Sequence, residues 1–140
     1  MVIRFPTIYL ADDDPDDLEF FAAGMQRLYP QVSIFLFKDG SELLSALQAC
    51  GPTSLPYCLI FDYKMPTLGA PLILEATGPG TRYHPIAKIV WSTSGRQKDI
   101  DECLHLGATR YVIKPASDKE LEIFLQSLQI PIPSQATTAK

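Results

Sequence analysis

Five short apolar runs recur along this chain, and none of them shows the in–out alternation of a strand with one wet face. They read TIYLA at 7–11, VSIFLF at 32–37, YCLIF at 57–61, IAKIVW at 86–91 and RYVI at 110–113. Runs apolar on both faces fit a parallel sheet covered by helices on each side. The intervening segments supply the helices. Asp14 is placed as an N-cap with Pro15 at the first helical position, and Leu18, Phe21, Ala22, Met25 and Leu28 form a stripe of 3.6-residue period. Lys38-Asp39-Gly40 turns into a second helix carrying Leu43, Leu44 and Leu47, which Gly51-Pro52 stops. Pro and Gly break the stretch 66–85, so its helix is predicted short, over about 72–77. A fourth helix is expected from Gln97 to Leu106, with Gly107 beyond its end. Ser117-Asp118-Lys119-Glu120 is a capping box opening a last helix, with Leu121, Phe124, Leu125 and Leu128 inward. The predicted fold class is α/β: a doubly wound, five-stranded parallel sheet with helices on both faces.

At 140 residues the chain has the size of one domain, expected over 5–128. The polar end, 129–140, is expected to be a disordered tail. Sixteen acids against twelve bases argue against a nucleic-acid or anionic-membrane partner. No apolar run approaches the ~18 residues of a membrane span, and the N-terminus lacks the continuous apolar core of a signal peptide. Cys50, Cys58 and Cys103 are odd in number and set among apolar neighbours, as small core residues of a reducing compartment would be. His84 and His105 have no partner at metal-ligand spacing. The expected location is the cytoplasm.

The acids are unevenly spread: residues 11–20 hold six of the sixteen. In a doubly wound sheet, ligands bind beyond the carboxyl ends of the strands, and polar residues fall there repeatedly. Asp12 and Asp13 follow the first run, Asp62 the third, Ser92 and Thr93 the fourth, and Lys114 the fifth. Each alone could be a cap, a turn or a solvated loop end. Together they make a phosphoryl-transfer set. Crowded carboxylates call for a divalent cation such as Mg²⁺, and an aspartate can attack phosphorus to give an acyl phosphate. A cation, an ammonium and a hydroxyl can neutralise the moving phosphoryl oxygens.

LADDDPDD, LIFDYKMP, IVWSTS and GATRYVIKP resemble the response-regulator receiver domain of two-component systems, the chemotaxis-type fold, over about residues 5–128. The thirty-residue step from Asp62 to Ser92 and the twenty-two from Ser92 to Lys114 match that family's spacing and favour Ser92 over Thr93. The resemblance implies that Asp62 is the phosphoacceptor and that Asp12, Asp13, Asp62 and the main-chain carbonyl of Lys64 hold Mg²⁺. It also implies that Lys114 pairs with the phosphoryl group, Ser92 is the switch hydroxyl and Tyr111 the switch aromatic. Implied partners are a sensor histidine kinase or phosphotransfer protein and a downstream effector. The face of the fourth helix, fifth strand and last helix would carry effector or homodimer contacts. The product of such chemistry is the modified protein itself, so the chain would be a signalling protein, not an enzyme.

Two features depart from the family. Thr67-Leu68-Gly69-Ala70-Pro71 replaces the usual G-x-D/N-G loop, and LEATGPGTRYHP replaces a longer third helix. Lys64, two residues past Asp62, reads either as a solvent-facing lysine or as a cover over the acyl phosphate that hinders an attacking water. A haloacid-dehalogenase-type phosphatase is the main rival, with Asp12-x-Asp14 as its nucleophile motif, but it lacks the late acidic pair and leaves Asp62 idle. A Ca²⁺ loop fails because Asp17 and Ala23 stand where Gly and Glu are needed. A receiver-shaped module that takes no phosphate is the third alternative.

Overall fold

Strands buried on both faces need a helical layer above and below them, and the central strands have both. The computed structural model describes residues 5–132. Strands and helices alternate as β1 (Thr7–Ala11), α1 (Pro15–Leu28), β2 (Ser33–Phe37), α2 (Gly40–Ala49), β3 (Cys58–Asp62), α3 (Ala70–Ala76), β4 (Ala87–Ser92), α4 (Gln97–His105), β5 (Arg110–Ile113) and α5 (Asp118–Ser127). The sheet is parallel throughout, in the order β2-β1-β3-β4-β5. On one face, Phe21 and Met25 of α1 and Leu121, Phe124 and Leu125 of α5 pack against Ile8, Leu10, Ile60 and Trp91. On the other, Leu43 and Leu47 of α2, Ile73 and Leu74 of α3 and Cys103 of α4 pack against Tyr9, Leu59, Phe61 and Val90.

Local chemistry explains the helix starts. The Asp14 side chain accepts from the Asp16 amide, with Pro15 at the first position. Asp39 accepts from the Glu42 amide, and Ser117 from that of Glu120. Each satisfies an amide that the first turn leaves orphaned. Gly107, just beyond α4, takes φ +110°, a conformation that favours glycine.

Three expectations are corrected. β2 starts at Ser33 and is an edge strand, so the rule that every run is covered on both faces fails there: Phe35 and Leu36 are exposed. The helical layers sit over the middle of the sheet and leave its margin open. β3 and β4 run one residue further than their apolar runs, because the ladders join Asp62 to Trp91 and Ser92 to Ile113 through the backbone whatever the side chains. α3 begins at Ala70, two residues early, since Pro71 is accommodated in a first turn whose amides are unbonded anyway.

The atypical stretch is nonetheless well anchored. Ala70 donates its amide to the Tyr63 carbonyl at 3.0 Å, and a Cβ on Gly69 would lie 2.9 Å from that same oxygen, so the loop closes only with glycine there. After α3, the Arg82 guanidinium donates to the carbonyls of Leu47 and Cys50, closing the carboxyl end of α2. The chain stays on the core past α5: Ile130 is buried and Ile132 packs beside it, within the segment expected as tail. Residues 133–140 of that segment lie outside the described residues. Among the described residues no helix is long and apolar enough to cross a membrane.

Candidate functional site

With β1 between β2 and β3, the connection from β1 leads toward one edge of the sheet and that from β3 toward the other, and the crevice at that reversal lies beyond the carboxyl ends of β1 and β3. Asp12 and Asp13 follow β1, and Asp62 is the last residue of β3. One oxygen from each of the three carboxylates lies within 4.8 Å of the others. Lys114, directly after β5, reaches back across the rim. Its Nζ lies 2.8 Å from Asp12 Oδ2, 2.8 Å from Asp17 Oδ2 and 3.1 Å from Asp62 Oδ2.

Asp12 is fully buried and its carboxylate is committed on both oxygens. Oδ1 accepts from the Asp14 amide at 2.9 Å, while Oδ2 accepts from the Trp91 indole at 3.0 Å and pairs with Lys114. The Asp62 side chain keeps 13% of its surface open. Burial raises both acids above the ordinary carboxylate range; Lys114 opposes this at each, and charge repulsion from Asp62 on Asp12, and from Asp13 on Asp62, adds to it. Burial alone would lower the Lys114 ammonium, but hydrogen bonds to Asp12 and Asp17 and the charge of Asp62 outweigh it and hold it above its usual value.

One ammonium thus serves Asp12, Asp17 and Asp62, with Asp13 close by. The cluster stays net negative, and its donors are hard oxygens close enough to share an ion. That donor set fits a divalent cation of the magnesium or manganese kind.

The remaining expected residues form a second group at the end of β4. Ser92 is buried, and its Oγ accepts from the Ser94 amide at 3.1 Å, whereas Thr93 is exposed. Half-buried Tyr111 donates its hydroxyl to the Ser94 carbonyl at 2.7 Å. Lys64 is exposed, and its backbone amide works with Lys114 in favouring ionised Asp62. The structure therefore brings Asp12, Asp13, Asp62 and Lys114 together, and ties Ser92 and Tyr111 to each other through Ser94.

Two participants escaped the sequence reading. Asp17 is not among the expected site residues, yet it accepts from Lys114 at 2.8 Å. Its place three residues after the Asp14 cap, on the same side of the first turn, was the available signal. Trp91 read as strand core, yet a buried indole N–H needs an acceptor, and at a strand end beside an acidic rim that acceptor is Asp12.

No protein-family model matches the sequence. Solved structures do match over nearly the whole chain. The phosphorylated cyanobacterial phytochrome response regulator RcpA is 20% identical with a TM-score of 0.80, covering 94% of this chain and 100% of its own. The Mn²⁺-bound form of response regulator Rcp1 is 19% identical with a TM-score of 0.76, covering 92% and 99%. The chemotaxis response regulator CheY4 of Vibrio cholerae is 19% identical with a TM-score of 0.75, covering 89% and 99%. Strand order, helix placement and these alignments agree: the chain has the fold of the response-regulator receiver domain.

Proposed function

We propose that this protein is a response regulator working through its receiver domain. It accepts a phosphoryl group on Asp62 from a phosphohistidine of a sensor kinase or phosphotransfer protein and signals through contacts that depend on that modification. The observation that carries the reading is the pairing of Asp62 with both an acidic cluster and a lysine. Its carboxylate lies within 4.8 Å of Asp12 and Asp13 oxygens and 3.1 Å from the Lys114 ammonium.

In the proposed step, an Asp62 carboxylate oxygen attacks phosphorus while the bond from phosphorus to the imidazole nitrogen breaks. The departing imidazole keeps that electron pair and takes a proton. Mg²⁺, held by Asp12, Asp13, Asp62 and the Lys64 carbonyl, would supply charge neutralisation for the phosphoryl oxygens. Lys114 trades its contact with Asp62 for the new phosphoryl oxygens, which add charge and strong acceptors. Ser92 donates its hydroxyl to the same group, breaking the local contact with Ser94. That frees the Ser94 carbonyl from its present geometry, and Tyr111, bonded to it, shifts with the loop. The face formed by α4, β5 and α5 carries the output to an effector or a second copy.

A phosphatase using Asp12 is disfavoured by the geometry around it. Asp12 is wholly buried with both oxygens engaged by donors, whereas Asp62 is the partly open carboxylate. Incubation with acetyl phosphate and Mg²⁺ followed by intact-mass measurement tests the proposal. One added phosphoryl group is expected in the wild type and none in Asp62→Asn. An unlabelled wild type, or steady turnover of an aryl phosphate by Asp62→Asn, overturns it.

A further inference from the structure

Trp91 is the chain's single tryptophan and is all but inaccessible to solvent. Its ring is held from two sides: Phe21 of α1 meets it edge-on with centroids 5.8 Å apart, and Phe124 of α5 stacks on it at 6.2 Å. Those contacts aim the indole Nε1–H at Asp12 Oδ2. The other donors to Asp12 are of a different kind. Lys114 divides its ammonium among three carboxylates, and the Asp14 amide belongs to the loop entering α1. Among the described residues the indole is the one uncharged side-chain donor to Asp12, clamped by two helices and dedicated to this carboxylate.

We infer that Trp91 is a positioning residue for the divalent cation: its N–H fixes the plane of the Asp12 carboxylate so that a lone pair faces Asp13 and Asp62. The inference rests on reading the acidic cluster as a cation site. Outer donors that orient a ligating carboxylate govern metal affinity, and their loss characteristically costs about 10–100-fold. The arrangement also makes the indole a reporter, because its N–H is bonded to an oxygen whose charge a bound cation would share.

Calorimetric titration of Mg²⁺ into the full chain, with wild type, Trp91→Phe and Trp91→Leu, tests this. Phe and Leu fill the space between Phe21 and Phe124 differently, but neither has a donor. The expected result is a similar loss in both variants, of about tenfold in affinity, and a wild-type fluorescence change with the calorimetric midpoint. Trp91→Phe binding within twofold of wild type overturns the inference, as does a loss confined to Trp91→Leu, which would reflect packing alone. Unchanged wild-type emission at saturating Mg²⁺ overturns it too, even where neither variant folds. A wild type that takes up no Mg²⁺ removes the cation site itself, and this inference with it. Uptake with equal affinities in all three proteins removes the inference alone.

Discussion

The carboxyl rim of the sheet carries two polar groups built on opposite plans. Around Asp12 and Asp62, the bonds cross the molecule: Lys114 after β5 reaches Asp17 in α1 and Asp62 in β3, and Trp91 in β4 reaches Asp12 after β1. Around Ser92, they are local. The Ser92 Oγ accepts from Ser94, the Ser94 hydroxyl donates to Asp99, and Arg96 donates to that same Asp99 oxygen. Two bonds tie this turn to the adjoining strand: the Tyr111 hydroxyl donates to the Ser94 carbonyl, and the Lys114 amide to that of Ser92. A group cross-linked through several elements can move only if the core moves, whereas a locally bonded turn can rearrange as a unit. The contrast suits a site whose chemistry is preset on one side and whose consequence appears on the other.

The largest effect expected from breaking the contrast is at Lys114. Lys114→Met keeps the length of the side chain but leaves buried carboxylates without their counter-charge, and breaking such a pair costs about 3 kcal/mol. Urea unfolding at neutral pH without metal should show that loss. The pH dependence gives the sign. Burial already holds Asp12 and Asp62 above the ordinary carboxylate range, and Lys114 opposes it. With the ammonium gone, the folded variant keeps protons that the unfolded chain releases, so its deficit shrinks as pH falls from 7 toward 5. In the wild type the Lys114 contribution is intact at neutral pH and is lost only as pH rises through its elevated folded value. A deficit equal at both pH values would mean that charge is not what the lysine balances.

Tyr111→Phe should be gentler. It removes one hydroxyl from the Ser94 carbonyl in the turn after β4, worth about 1 kcal/mol. Amide exchange should quicken at Ser94 and its neighbours and stay unchanged at Asp12 and Asp13. Equal acceleration in both places would show that the two groups are one unit and that the contrast is false.

How much of this was legible beforehand follows the same division. The periodicity of the helices, the Asp14 and Ser117 caps and the order of elements could be read because each depends on residues close in sequence. The rim positions of Asp12, Asp62, Ser92 and Lys114 could be read because strand ends converge in a doubly wound sheet. Asp17 and Trp91 were not assigned, since their partners lie 97 and 79 residues away and only the tertiary fold brings them together. The exposed Phe35 and Leu36 misled for a related reason: apolar composition does not say whether a strand is central or at the edge. Arg82 closing α2 was invisible too, because no local rule connects residue 82 to the carbonyls of Leu47 and Cys50.

The Lys64 side chain belongs to neither group, which makes it the finest test of the division. It is exposed and follows Asp62 by two residues. If the buried network alone sets the chemistry, Lys64 can act only on water approaching the acyl phosphate, and an exposed charge alters such a barrier slightly. Lys64→Asn should then leave the rate of labelling by acetyl phosphate unchanged and speed loss of the phosphoryl group by about threefold, the scale of a weak surface interaction. Intact mass gives the labelling rate with the donor present and the loss rate after its removal. An unchanged lifetime would make Lys64 a solvated lysine with no part in the site. A changed labelling rate would instead draw it into the group around Asp62, and the boundary between preset chemistry and adjustable surface would have to move outward to include it.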